Sequence, residues 1–163
     1  MKKYSLMAAL VVISFIIQTS FFKFFSIFGI APNLSLILLV IFSLMSDGIT
    51  GGVLGLITGL MYDTMIYDVF GIYTLVYFFI GALIGTYSDE MLRENYVAYT
   101  AVTALSTAVM HFLIFVILFF LRYRVGNSDN ILISIIIEIV FNTVLSIFVF
   151  KIINIIFEKL NVK

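Results

Sequence analysis

From Tyr96 to Leu121 the chain runs without one Asp, Glu, Lys or Arg. Hydrocarbon offers no water to backbone N–H and C=O groups, so so long an apolar segment must bond them internally, as a helix. Similar segments fill most of the sequence. Six of them, separated by short polar breaks, read as helices: about Tyr4–Phe22, Asn33–Met45, Ile49–Tyr62, Ile72–Ser88, Tyr96–Leu121 and Ile131 to about Phe150, the last continuing into the tail. An aromatic connector, FKFFSIFGIAPN, broken by Gly29 and Pro32, follows the first helix, and a tight Ser46-Asp47-Gly48 turn joins the second to the third. The expected fold is all-α, a polytopic membrane bundle of six transmembrane helices forming one integral membrane domain over residues 1–163.

The composition agrees. Hydrophobic residues make up 63% of the chain and charged residues 11%, against about 25% charged in soluble domains. A span needs roughly 20 residues to cross about 30 Å of hydrocarbon. Helices two and three offer about 13 or 14 each, near 20 Å. Because Ser46-Asp47-Gly48 is polar enough to reach water, two short spans are expected rather than a re-entrant hairpin. Lys2-Lys3 and the apolar run behind them imitate a signal peptide, but no small-x-small cleavage site precedes QTSFFKFF, so the segment reads as a retained helix.

With the N-terminus inside, Lys2, Lys3, Arg93, Lys159 and Lys163 fall in the cytoplasm and Lys23, Arg122 and Arg124 outside, a weak positive-inside bias. Both termini are then cytoplasmic. Tyr4, Tyr62, Tyr67, Tyr73, Tyr87, Tyr96 and Tyr123 lie near expected helix ends as interfacial anchors. In the tail, about residues 151–163, Lys151, Asn154 and Glu158 form an amphipathic stripe suited to the cytoplasmic interface.

Two patterns of side chains stand out. Gly51, Gly55 and Gly59 repeat every fourth residue, so they share one face of helix three, and Asp63 continues the line. Gly81, Gly85 and Asp89 repeat the arrangement on helix four. Membrane helices associate where small residues let backbones approach. These stripes therefore offer either packing within the bundle or a contact for a partner helix or a second copy of the chain (a homodimer), with each aspartate near the headgroups.

The second pattern is polar. Ser134, Glu138, Asn142 and Ser146 line one face of helix six, and Thr103, Thr107 and His111 one face of helix five, with Gln18 on helix one. A charged group at a helix centre costs about 2.5–3.5 kcal/mol on the insertion scale, so both stripes should face protein, most simply each other. Interhelical hydrogen bonding is the plain reading; a polar cavity open to the outside, or a proton or ion pathway, is the sharper one. One histidine and one glutamate are too few for a metal site.

No cofactor is implied. The absence of cysteine excludes disulfides and thiolate sites, and no GxSxG, HExxH or P-loop sequence occurs, which argues against an enzyme. Zero net charge without a basic run beyond Lys2-Lys3 gives no footing for nucleic acid.

The stretch IIQTSFFKFFSIFGIAPNLSLIL, with Gln18, Gly29, Pro32, Asn33 and Leu34, resembles the first segment of the MreD family, the rod-shape-determining membrane proteins of bacteria. GGVLGLITGLMYD…FGIYTLVYFFIGALIG resembles that family's glycine-rich third helix and the opening of its fourth, through Gly55, Gly59, Leu60, Asp63, Gly71, Leu75, Tyr77, Gly81 and Gly85. Asp47 stands where the family would carry a basic residue, and helices five and six agree only in number and apolar character. The resemblance implies a non-catalytic scaffold of the wall-elongation complex that binds the bitopic protein MreC and, through it, MreB, RodA and penicillin-binding protein 2. It also implies a fold similar to the substrate-binding S-components of ECF vitamin transporters, which supplies a second reading. S-components usually dock through an Ala-x-x-x-Ala face on helix one; here Ala8-Ala9 is followed by Val12 and Ile13.

Overall fold

A computed structural model describes residues 2–20, 29–64, 69–88, 95–123 and 131–160. Six helices account for nearly all of them: α1 (Lys2–Ser20), α2 (Leu34–Leu44), α3 (Gly48–Asp63), α4 (Ile72–Thr86), α5 (Tyr96–Phe120) and α6 (Ile131–Lys159). Most of the connector after α1, Tyr67, Asp68, Asp89, and the basic residues Lys23, Arg93, Arg124 and Lys163 lie outside the described residues.

The centre of the bundle is α2. Ten of its 11 residues are buried, every one except Leu34, as expected of a helix that is apolar all round. Around it stand the paired α3 and α4, the paired α5 and α6, and α1. Two aromatic contacts close the core near the Met45 end: Phe42 of α2 meets Phe157 of α6 with ring centroids 6.1 Å apart, and Tyr99 of α5 packs on Phe150 of α6 at 3.9 Å. At the same end the Lys3 ammonium donates to the Met45 carbonyl at 3.1 Å, and the Ser88 hydroxyl to the Ser46 carbonyl at 2.9 Å.

Short polar residues start the helices. Asn33 caps α2 by accepting from the Leu36 N–H, and Asn95 caps α5 by accepting from the Val97 N–H. Asp47 caps α3 through the N–H groups of Ile49 and Thr50. The Thr50 hydroxyl bond, aided by these N–H groups, holds the Asp47 carboxyl below the usual carboxylate range. This cap is the role of the acidic residue in the α2–α3 turn.

Among the described residues three helices are long and apolar enough to cross a membrane: Lys3–Ser20, Tyr96–Phe120 and Ile131–Lys159. With 11, 16 and 15 residues, α2, α3 and α4 are about 17, 24 and 23 Å long at 1.5 Å per residue. Helix four is thus about as short as its two predecessors: it starts at Ile72, as expected, behind Gly71 at φ +101°, and ends early at the Tyr87 C-cap. The tail continues α6 to Lys159, with Lys151 and Glu158 exposed and the apolar Ile153 and Phe157 buried in the bundle.

Candidate functional site

The glycine stripes meet each other. A methyl group placed on Gly51 would overlap the Gly81 carbonyl, one on Gly55 the Tyr77 carbonyl, and one on Gly59 the backbone of Tyr73 and Thr74. From the other side, a methyl group on Gly81 would overlap the Gly51 carbonyl and one on Gly85 the backbone of Asp47 and Gly48. Of the occupants left open for the Gly51–Gly55–Gly59 groove, the chain's own α4 is the one seated there. Packing within the bundle, one of the two readings left open for that face, is the one seen there.

Asp63, at the end of the same line, is 1% exposed and turned inward. Its carboxylate accepts from the backbone N–H of Tyr73 at 3.0 Å and of Thr74 at 2.9 Å, and from the Thr74 hydroxyl. The N-cap position of α4 is a glycine, which has no side chain to offer, so the helix takes its cap from the end of α3. A negative group there also complements the helix dipole. Asp63→Ala is therefore expected to lower stability in detergent by about 2 kcal/mol, the upper range for losing a helix cap. Asp63→Asn, which keeps an acceptor, should lose less. Chemical unfolding followed by helix content checks both.

The polar stripes of α5 and α6 face each other, and a third element joins them. His111 Nε2 lies 2.9 Å from Glu138 Oε2. One turn further along α6, the Asn142 amide donates to the Thr107 hydroxyl at 3.1 Å and its oxygen accepts from the Asn33 N–H at 2.7 Å. The Asn33 amide donates to the Tyr77 hydroxyl at 2.8 Å and reaches Met110 Sδ at 3.7 Å. Asn33 is thus bonded to α4, α5 and α6 while it caps α2. It is 4% exposed and Asn142 is fully buried.

Gln18 stands apart from the His111–Glu138 pair. Its amide donates to the Pro32 carbonyl at 2.7 Å and its oxygen accepts from the Leu34 N–H at 2.8 Å, which ties α1 to the entry of α2. Ser134 is half-buried and takes no part in these bonds; Ser146 is buried and returns its hydroxyl to the Thr143 carbonyl. Sequence reasoning missed Asn33 and Tyr77 as interior ligands of Asn142 and Asn33, although Asn directly after Pro was a visible cap signal.

The tyrosines divide into two groups. Tyr4, Tyr87, Tyr96 and Tyr123 are exposed, as anchors should be. Tyr62 and Tyr73 instead turn inward and pack with Tyr77, with ring centroids 5.2 to 5.8 Å apart.

The His111–Glu138 pair allows a direct test. Glu138→Gln and His111→Ala should be less than additive in detergent stability, with a coupling of about 0.6 to 1.7 kcal/mol, the range for polar contacts between membrane helices. Full additivity would mean that the contact carries no energy.

One outward groove retains small residues. It lies between α3 and α4 at the Asp47 end and is lined by Gly48, Val53, Phe78, Ala82, Gly85 and Thr86. Among the described residues no group of three or more His, Cys, Asp or Glu is placed to hold a metal ion. A family model described as rod shape-determining protein MreD matches residues 1–156 of the 163. No curated protein and no solved structure matches the chain.

Proposed function

The chain belongs to the MreD family of rod shape-determining membrane proteins, and from that membership we propose that it is a non-enzymatic scaffold of the wall-elongation complex. In this reading it sits as a multi-pass protein in the bacterial cell membrane with both termini in the cytoplasm. It holds the bitopic protein MreC and, through it, MreB, RodA and penicillin-binding protein 2.

The observation that carries the proposal is how the interior polar groups are used. Asp63, Gln18, Asn33, Asn142 and the His111–Glu138 pair are each bonded to another helix or to the chain entering one. Such an interior favours a rigid body that presents its surface over one that works on a substrate. The seat for the partner is the groove at the Asp47 end, walled by Val53, Phe78, Ala82 and Thr86, with Gly48 and Gly85 at its base already closed by the chain itself.

The chain has no cysteine, so single cysteines report contacts cleanly. With a bismaleimide in native membranes, Val53→Cys in the groove should cross-link to a bitopic membrane protein, while Ile136→Cys on the outer face of α6 should not. Equal yields from both positions would overturn the groove as the seat. Failure of any bitopic protein to co-purify, with rod-shaped cells keeping their form on depletion, would overturn the scaffold itself. A small molecule retained through purification and seen by mass spectrometry would favour the S-component reading instead.

A further inference from the structure

The groove between α3 and α4 carries a charge at one end. Ile49 and Val53 of α3 and Phe78, Ala82 and Thr86 of α4 line it, and Asp47, the cap of α3, closes the row. From Phe78 to Thr86 the track runs about 12 Å along α4. The Thr86 hydroxyl is returned to the Ala82 carbonyl at 2.8 Å, so it is spent within its own helix. Among the described residues that line the groove, Asp47 alone is charged.

The Asp47 carboxylate is exposed and bonded only to the start of its own helix, through the N–H groups of Ile49 and Thr50 and the Thr50 hydroxyl. It makes no ion pair among the described residues. Lys3, at the same end of the bundle, gives its ammonium to the Met45 carbonyl. A helix laid along the track would displace part of the water around Asp47, and a charge that loses hydration is strongly disfavoured unless a counter-charge replaces it. The groove therefore penalises a helix that is apolar at this end and accepts one that carries a cation there. That is discrimination by charge on top of apolar contact. The proposed topology supplies such helices. The Lys3 bond places Asp47 at the end where α1 begins, the cytoplasmic end in that reading, and membrane spans keep their excess of Lys and Arg on that side.

We infer that the groove selects its partner by pairing Asp47 with a Lys or Arg at the cytoplasmic end of a single membrane-spanning helix, whose apolar side chains lie along Val53, Phe78 and Ala82. The pairing rests on the reading of this groove as the seat for MreC, and adds the chemistry by which a helix is chosen there.

Ile49 is 80% exposed at the rim, so a benzophenone maleimide on Ile49→Cys captures an occupant without filling the groove. The full chain carrying this label is co-expressed with MreC, and the captured MreC is measured in native membranes. Asp47→Asn keeps a good cap for α3 but removes the charge, and should lower capture several-fold. Asp47→Glu keeps the charge on a poorer cap and should retain most of it. In MreC, replacing the flanking Lys and Arg residues by Gln one at a time should reproduce the loss at one position, and add nothing when Asp47 is already Asn. Unchanged capture with Asp47→Asn would overturn the pairing and leave the seat standing. Equal losses from Asn and Glu, or losses that add fully to those in MreC, would also overturn it, because Asp47 would then act only through the start of α3. Capture of a second copy of the chain, or of lipid alone, with Asp47 intact would remove the seat and the pairing together.

Discussion

Gly55→Leu is expected to cost at least the ~3 kcal/mol that marks the upper end of overpacking in a core. A side chain there projects into the carbonyl and carbonyl carbon of Tyr77 and the Cα of Phe78. Backbone cannot swing aside as a rotamer can, so α3 and α4 must separate along their length. Separation would also pull Asp63 from the start of α4 and Tyr77 from Asn33, so the damage spreads to the interior network. Gly52→Ala is the control on the same helix. Its added methyl meets the Phe78 ring at 3.0 Å and the Ala82 Cβ at 3.4 Å, side-chain atoms that can give by a few tenths of an ångström. Unfolding in mixed micelles should show a large loss for Gly55→Leu and a small change for Gly52→Ala. Similar losses from both would mean that backbone approach at Gly55 is not what holds the pair.

Much of this architecture is legible in the chain because apolar runs and their polar breaks are local signals. The helix starts at Tyr96 and Ile131 and the turn at Asp47 fall where the sequence places them. The four-residue spacing of Gly51, Gly55 and Gly59 correctly marks a face of close approach. What periodicity does not contain is the identity of the occupant, which depends on how the chain folds back between Asp63 and Ile72. The same limit hides the role of Asp63. A carboxylate at the end of one helix becomes the cap of the next only when a short connection returns the chain beside it. Helix four reads too long from sequence because Tyr87 and Ser88 are compatible with continuing the helix, whereas in the structure Tyr87 is its C-cap. The facing stripes of Thr107, His111, Glu138 and Asn142 were readable from spacing, because polar residues in apolar helices have few places to go. Asn33 was not, since its neighbours Tyr77, Met110 and Asn142 are distant in sequence.

Asn33→Ala is expected to have the second large effect, and its reach should exceed one contact. The substitution removes the cap on Leu36, worth about 1 kcal/mol. It also leaves the buried Tyr77 hydroxyl without its donor, at about 1 to 3 kcal/mol for an unsatisfied group. The Asn33 backbone N–H still reaches Asn142, so that bond should survive. The total, about 2 to 4 kcal/mol, falls on a central helix in contact with every other. Asn33→Ser separates the two contributions: it keeps a capping oxygen for the Leu36 N–H but is too short to reach the Tyr77 hydroxyl. Pairing each variant with Tyr77→Phe completes the assignment. In the Tyr77→Phe background the hydroxyl is already gone, so Asn33→Ala should cost only about the cap and the weak Met110 contact. If Asn33→Ala costs the same in both backgrounds, the bond between Asn33 and Tyr77 does not set the level at which α2 and α4 are held.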